Sequence, residues 1–350
     1  MSLKDFKLKE VLNIAVIVAA LGYFVDVYDL VLFLIIGKAS LAELGINKVD
    51  LLPTFQYLLN VQMIGMLIGG IFWGILADKK GRLAVLFSCI IMYSLANLAN
   101  GFLIPISAYT EGIFSPIQIY AILRFVAGIG LAGELGVGIT LVSEIMSKET
   151  RGMGTSVVAS VGVIGAVVAC IVGKFAGWEA SYIVGGVLGL SLLILRIGVF
   201  ESGLFKNLAN KKVRQGEFLL LFEKKERAFR YINCILIGLP VWFIIGVLVG
   251  RAPEIGTILG IQGVDQIFCV MLCYLGLTFG DVLSGVLSQI FRSRKKILAS
   301  FFLASIVIIL IYVNLYNASL TVFYTIIFML GLSVGFWAIF VTVASEQFGT

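Results

Sequence analysis

The 350-residue chain is 60% hydrophobic and 13% charged, with a formal net charge of +6 and no histidine. Soluble domains carry about 25% charged residues, so these figures exclude an ordinary soluble fold and point to the membrane class. Without histidine, proton chemistry near neutral pH falls to carboxylates, and the five cysteines, with no C-x-x-C pair among them, supply neither a zinc set nor a redox motif.

A helix that crosses a bilayer needs about 20 mostly apolar residues. Ten segments meet that requirement: roughly 13–36, 55–77, 83–104, 118–143, 153–174, 180–200, 231–250, 266–290, 297–315 and 321–345. The first is too long for a signal-peptide core and lacks a small-residue cleavage site, so it is expected to stay as a span. It carries Asp26 and Asp29, three residues apart and therefore on neighbouring parts of one face, with Tyr28 beside them. Span 2 runs into Gly74-Ile-Leu-Ala-Asp78-Lys-Lys-Gly81-Arg82. Span 4 holds Arg124 and, ten residues on, Glu134 among Gly128, Gly130, Gly133, Gly136 and Gly138. It ends at Glu144, with Arg151 shortly after. Arg196 lies near the cytoplasmic end of span 6 and reads as a snorkelled partner of Glu201. Residues 201–230 read as a polar linker carrying eight basic side chains. Span 7 contains Trp242, span 8 contains Asp281 flanked by Gly276, Gly280 and Gly285, and span 10 contains Trp337.

Assigned to alternating loops, twenty of the 26 Lys and Arg residues fall on the side of the N-terminus, and only Lys38, Lys48, Lys174 and Arg251 on the other. The positive-inside rule then puts the N-terminus in the cytoplasm. The basic excess is therefore topology rather than a nucleic-acid footprint.

The two ends of the chain echo each other. Gly74-Ile-Leu-Ala-Asp78 at the end of span 2 corresponds to Gly285-Val-Leu-Ser-Gln289 at the end of span 8. Thr140-Leu-Val-Ser143-Glu144 after span 4 corresponds to Thr342-Val-Ala-Ser345-Glu346 after span 10. The pattern predicts an all-α membrane bundle of two pseudo-repeat halves: a six-span half over 1–200, the linker 201–230, and an incomplete half over 231–350. Glu346 corresponds to Glu144, after which the first half continues for two more spans, so twelve spans are expected and ten are present.

These residues resemble the major facilitator superfamily over essentially the whole chain. Gly74-x-x-Ala77-Asp78-x-x-Gly81-Arg82 resembles its loop 2–3 signature, and Arg124-x-x-x-Gly128-x-Gly130 its span 4 signature. Glu144 with Arg151-Gly152, and Glu201-Ser202, resemble its cytoplasmic motifs. The stretch Phe24-Val-Asp26-Val-Tyr28-Asp29-Leu30 is similar to span 1 of proton-coupled phosphate, aromatic-acid and metabolite symporters. One departure is Gly246, which stands where the phosphate branch would carry an aspartate. The resemblance implies a monomeric multi-pass carrier of the bacterial inner membrane that works by alternating access. Its expected partners are a small-molecule substrate, protons and the lipid bilayer, with no cofactor or metal and no nucleic acid.

An acid at the bilayer centre costs about 2.5–3.5 kcal/mol on insertion scales, so buried acids need a partner or a use. Asp26, Asp29, Arg124 and Glu134 are the candidates for proton coupling. Burial favours a neutral carboxyl and a neighbouring guanidinium an ionised one, so an arginine that moves between states would gate proton uptake and release. Tyr28, Glu134, Trp242, Asp281 and Trp337 are the candidates to line the substrate cavity. Asp78, Arg82, Glu144, Arg151 and Glu201 are expected to form a cytoplasmic charge network that stabilises one conformation. The two aspartates of Tyr28-Asp29 and Gly280-Asp281 also look like those of an intramembrane protease, but that signature wants Gly-x-Gly-Asp and the chain has Thr278-Phe-Gly280-Asp281. A sensor on a transporter fold and a sugar or phosphate symporter stand as alternatives to proton-driven uptake of an organic or amino acid.

Overall fold

A computed structural model describes the backbone of residues 14–110, 112–145, 151–201, 220–337, 339–340 and 343–344. Within these, the side chains of 14–15, 82–83, 135–145, 151–157, 198–201 and 220–221 are not described. The long helices are α1 Ile14–Glu43, α2 Lys48–Lys80, α3 Arg82–Gly101, α4 Pro116–Ile145, α5 Arg151–Glu201, α6 Lys225–Phe243, α7 Gln266–Ile290, α8 Arg294–Val313 and α9 Leu320–Ser333. Among the described residues, eight helical runs are long and apolar enough to cross a membrane, and α9 is a shorter apolar helix.

Three breaks depart from the expected spans, and each has a local cause. Residues 153–174 and 180–200 lie in one 51-residue run, α5, broken at Gly177 with φ 80° and ψ 174°. At ~1.5 Å per residue that run is ~75 Å long, room for two passes of a ~30 Å hydrocarbon core. Only glycine adopts such a backbone without strain, so a single residue makes the break. In the seventh run, Pro240 removes one helical donor, and the chain continues as a π-helix over Ile244–Val249, the segment containing Gly246. The expected tenth span is interrupted after Ser333: residues 335 and 336 are non-helical, and Gly335 lies against the backbone of Gly280.

Lipid tails are as apolar as leucine, so helices in a membrane associate by close packing rather than by expelling water. The chain meets this with paired glycines. A Cβ on Gly65 or Gly69 would collide with the carbonyl oxygens of Phe125 or Ile129, and one on Gly128 with the carbonyl of Gln62, so α2 crosses α4 backbone to backbone. In the second half, Gly276 and Gly280 meet the carbonyls of Phe328 and Leu332, and Gly331 meets that of Cys273, which gives α7 and α9 the same kind of crossing. Gly65-x-x-x-Gly69 and Gly276-x-x-x-Gly280 occupy the same offset as the Gly74/Gly285 match, so the repeat is structural as well as sequential. Large apolar side chains such as Leu303, Ile306 and Leu310 on α8 are exposed, as a lipid-facing stripe requires.

By contacts, the chain divides into two compact units, Met1–Ile145 with Ile171–Phe218, and Met146–Cys170 with Leu219–Thr350.

Candidate functional site

The first unit concentrates the buried charges. From α1 come Asp26 and Asp29, each 1% exposed; from α4 come Arg124 and Glu134, at 0% and 1%. Ten residues of helix separate the last two by ~15 Å. The stretch of α5 after Gly177 adds Ser181, Tyr182 and Arg196, and α3 adds a buried polar stripe of Tyr93, Ser94, Asn97 and Asn100.

These side chains form two groups. In the first, Arg124 donates through Nη2 to Asn97 Oδ1 at 2.6 Å, and its guanidinium carbon lies 4.6 Å from the centre of the Tyr182 ring. The Tyr182 hydroxyl is 2.7 Å from that of Tyr120, which is 3.0 Å from Ser40 Oγ. Asp29 sits beside Asn97 in the field of Arg124 and is pressed against Gly185, where a Cβ would overlap its Oδ1. In the second group, Arg196 Nη2 is 2.6 Å from Glu134 Oε1, and the Glu134 carboxyl is apposed to that of Asp26. An apolar wall of Val25, Ile90, Leu131 and Leu192 surrounds Tyr93 between the two groups.

Arg196 corrects the sequence reading. It does not snorkel to the rim; it is 3% exposed and paired with Glu134, while the side chain of Glu201 lies outside the described residues. A buried carboxylate stabilises a guanidinium that hydrocarbon would otherwise reject, and Gly22 on α1 leaves the space. A Cβ on Gly22 would fall on Arg196 Nη2 and within 2.8 Å of Glu134 Oε1.

Several buried atoms of the two groups make no hydrogen bond to any described residue: both Asp29 oxygens, Nε and Nη1 of Arg124, Nη1 of Arg196 and the Tyr93 hydroxyl. Each such group costs about 1–3 kcal/mol.

The other candidates are placed as follows. Tyr28 is fully buried, and its hydroxyl donates to the Ser181 carbonyl at 3.0 Å, tying α1 to α5. Asp281 is fully buried on α7. Trp242 and Trp337, read separately from the sequence, meet edge to face at 6.2 Å between ring centres, and Trp337 also packs on Phe340 at 5.3 Å. Asp78 is exposed at the end of α2, and Gly81, with φ 92°, turns the chain into α3. The side chains of Arg82, Glu144, Arg151 and Glu201 lie outside the described residues. No group of three or more His, Cys, Asp or Glu able to hold a metal ion occurs among the described residues.

Long apolar helices, glycine-paired crossings and charges kept away from lipid define a polytopic membrane protein. The major facilitator superfamily model matches residues 14–350, and the chain belongs to that superfamily. Among its relatives, the niacin transporter NiaP of Acinetobacter baylyi is 28% identical over 190 residues, which are 53% of this chain and 40% of that protein. The sialic acid transporter NanX of Escherichia coli is 26% identical over 246 residues, 68% of this chain and 56% of that protein. The benzoate transport protein of Acinetobacter baylyi is 29% identical over 196 residues, 53% and 39% of the two chains. This chain spans about half the length of the relatives it matches. Among solved structures, the proton:xylose symporter XylE aligns with a TM-score of 0.67 at 16% identity, over 94% of this chain and 81% of the other, which shows the fold. The chain is thus a multi-pass integral membrane protein of that superfamily.

Proposed function

We propose that the chain is a proton-coupled symporter that takes up a small organic or amino acid by alternating access, with Asp26, Asp29 and Glu134 as its proton-carrying carboxyls and Arg124 and Arg196 as their counter-charges. One observation carries this reading: among the described residues of the first unit, three buried carboxyls, Asp26, Asp29 and Glu134, lie with two buried guanidinia, Arg124 and Arg196. With every group ionised the cluster holds one uncompensated negative charge, which is costly in a low-dielectric interior. One bound proton balances it. A carrier whose empty cluster lacks one positive charge has a reason to load one proton per cycle.

The substrate class follows from separate support. Relatives named for niacin, sialic acid and benzoate handle carboxylic acids, and Arg124 keeps two buried nitrogens without a partner, donors suited to an anion. In the second unit, the Trp242–Trp337 corner offers flat apolar surface. Asp281, buried on α7, is the candidate acid of that unit, and Asp78, Arg82, Glu144, Arg151 and Glu201 remain the proposed conformational charge network.

The test is uptake of labelled nicotinate, sialic acid, benzoate and phosphate by the full-length protein in proteoliposomes, with and without an imposed inward proton gradient. Gradient-dependent uptake of at least one acid, accompanied by proton entry, is expected. Uptake that ignores the gradient for every probe would overturn the coupling.

A further inference from the structure

The turn from α2 into α3 and the turn from α7 into α8 occupy equivalent places in the repeat, and they differ in ways that the fold does not require. In the first unit the stretch reads Asp78-Lys-Lys-Gly81-Arg82; in the second it reads Gln289-Ile-Phe-Arg292-Ser293-Arg294-Lys-Lys296. Gly81 has φ 92°, and Arg292, at the equivalent position, has φ 47°. Glycine adopts positive φ without strain, whereas arginine does not. Ser293 already caps α8 from its side chain, so closing the turn does not call for arginine, and strain of this kind persists where the side chain has a use. Arg292, Lys295 and Lys296 are exposed, and Arg294 between them is half-buried. No acid occurs between Asp281 and Glu346. Where the first unit has Lys79 and Lys80, this turn has Ile290 and Phe291, 67% and 61% exposed. Topology accounts for cations in a loop of a membrane protein. It does not account for two large apolar side chains held out beside them.

The 25 residues of α7 rise ~37 Å at ~1.5 Å each, more than the ~30 Å hydrocarbon core, which brings the turn at its end to the level of the headgroups. We propose that the α7–α8 turn docks anionic phospholipid: Arg292, Lys295 and Lys296 hold the headgroup phosphates, and Ile290 and Phe291 sit among the upper acyl chains. Charge complementarity selects this occupant over a neutral lipid, and the apolar pair selects a lipid over free phosphate. Each basic side chain near an anionic surface strengthens binding about fivefold, less as salt rises. The site goes beyond the coupling reading above and does not depend on it, since it concerns which lipid the second unit gathers, whatever the chain carries.

Native mass spectrometry of the purified full-length protein, with phosphatidylglycerol or phosphatidylcholine added at equal concentration, reads the affinity for each lipid. Phosphatidylglycerol should bind at least about tenfold more tightly. The triple variant Arg292→Gly, Lys295→Gln, Lys296→Gln should lose at least about tenfold of that affinity, while Lys79→Gln with Lys80→Gln, in the equivalent turn of the first unit, should leave it within about twofold. Soluble glycerol phosphate should not displace the lipid. Arg292→Gly alone guards against a folding defect. It relieves the backbone, so its unfolding midpoint in lipid-free detergent should be equal or higher, and the stabilisation added by phosphatidylglycerol should shrink. Unchanged affinity in the triple variant, an equal loss in the Lys79 and Lys80 variant, or displacement by glycerol phosphate overturns the proposal. A lower midpoint for Arg292→Gly in detergent also overturns it, because the side chain would then be held by the protein itself.

Discussion

Replacing Asp26 with asparagine removes one carboxyl from a cluster of three carboxyls and two guanidinia while keeping its size. In the parent chain the empty cluster carries one net negative charge and a single proton cancels it; in Asp26→Asn the cluster is already balanced and requires none. One proton per substrate converts a gradient of one pH unit, about 1.4 kcal/mol, into about tenfold accumulation of a monoanion. The variant should let its substrate equilibrate to about onefold and still exchange it. Proteoliposomes clamped at zero potential with valinomycin and equal potassium, loaded with nicotinate or sialic acid and corrected for flux into protein-free vesicles, separate the two behaviours. Net accumulation should collapse while counterflow persists. If Asp26→Asn accumulates either acid about tenfold under the same gradient, the charge count does not govern coupling and the reasoning fails.

Three further outcomes follow from the packing. Gly69→Leu should destabilise the protein by at least about 1–3 kcal/mol through overpacking against Ile129, whereas Gly74→Leu, with nothing within 4 Å of its Cβ position, should leave thermal unfolding in detergent nearly unchanged; equal losses would remove the case for a backbone crossing at Gly69. Trp178 donates from Nε1 to Glu43 Oε2 at 2.8 Å, so Trp178→Phe should cost about 0.5–1.5 kcal/mol, read as a lowered unfolding midpoint that Glu43→Ala largely reproduces and Glu43→Gln, which keeps an acceptor, does not. Asn97→Leu deprives Arg124 of its 2.6 Å acceptor and should raise the KM for the transported acid at least about tenfold with intact folding by size-exclusion chromatography; an unchanged KM would separate Arg124 from substrate binding.

The sequence made some of this legible for identifiable reasons. Composition gave the class, and acids inside apolar spans named themselves because hydrocarbon rejects them: Asp26, Asp29, Glu134 and Asp281 are all buried. Arg196 escaped because sequence fixes depth along a helix but not which neighbour a long side chain meets. Five residues from Glu201, it could be read toward the rim, and only the notch at Gly22 on a distant helix shows otherwise. Asn97 and Tyr93 did leave a signal. Tyr93, Asn97 and Asn100 recur at the spacing of one helical face in an apolar span, a polar stripe that lipid would not tolerate. Between the expected spans 153–174 and 180–200 the break falls at Gly177 alone, because apolar length marks where two spans lie but not the backbone angles that join them.

The single odd charge also has an electrical consequence. A monoanion carried in with one proton moves no net charge through the cycle, so the membrane voltage neither drives nor opposes it. A zwitterionic amino acid carried by the same cluster would bring one positive charge inward, worth about 2.3 kcal/mol per 100 mV. Under the proposed coupling the substrate's own ionisation decides which component of the proton motive force is used, and whether an inward current flows in a patch or on a supported membrane reports the substrate class before its identity is known.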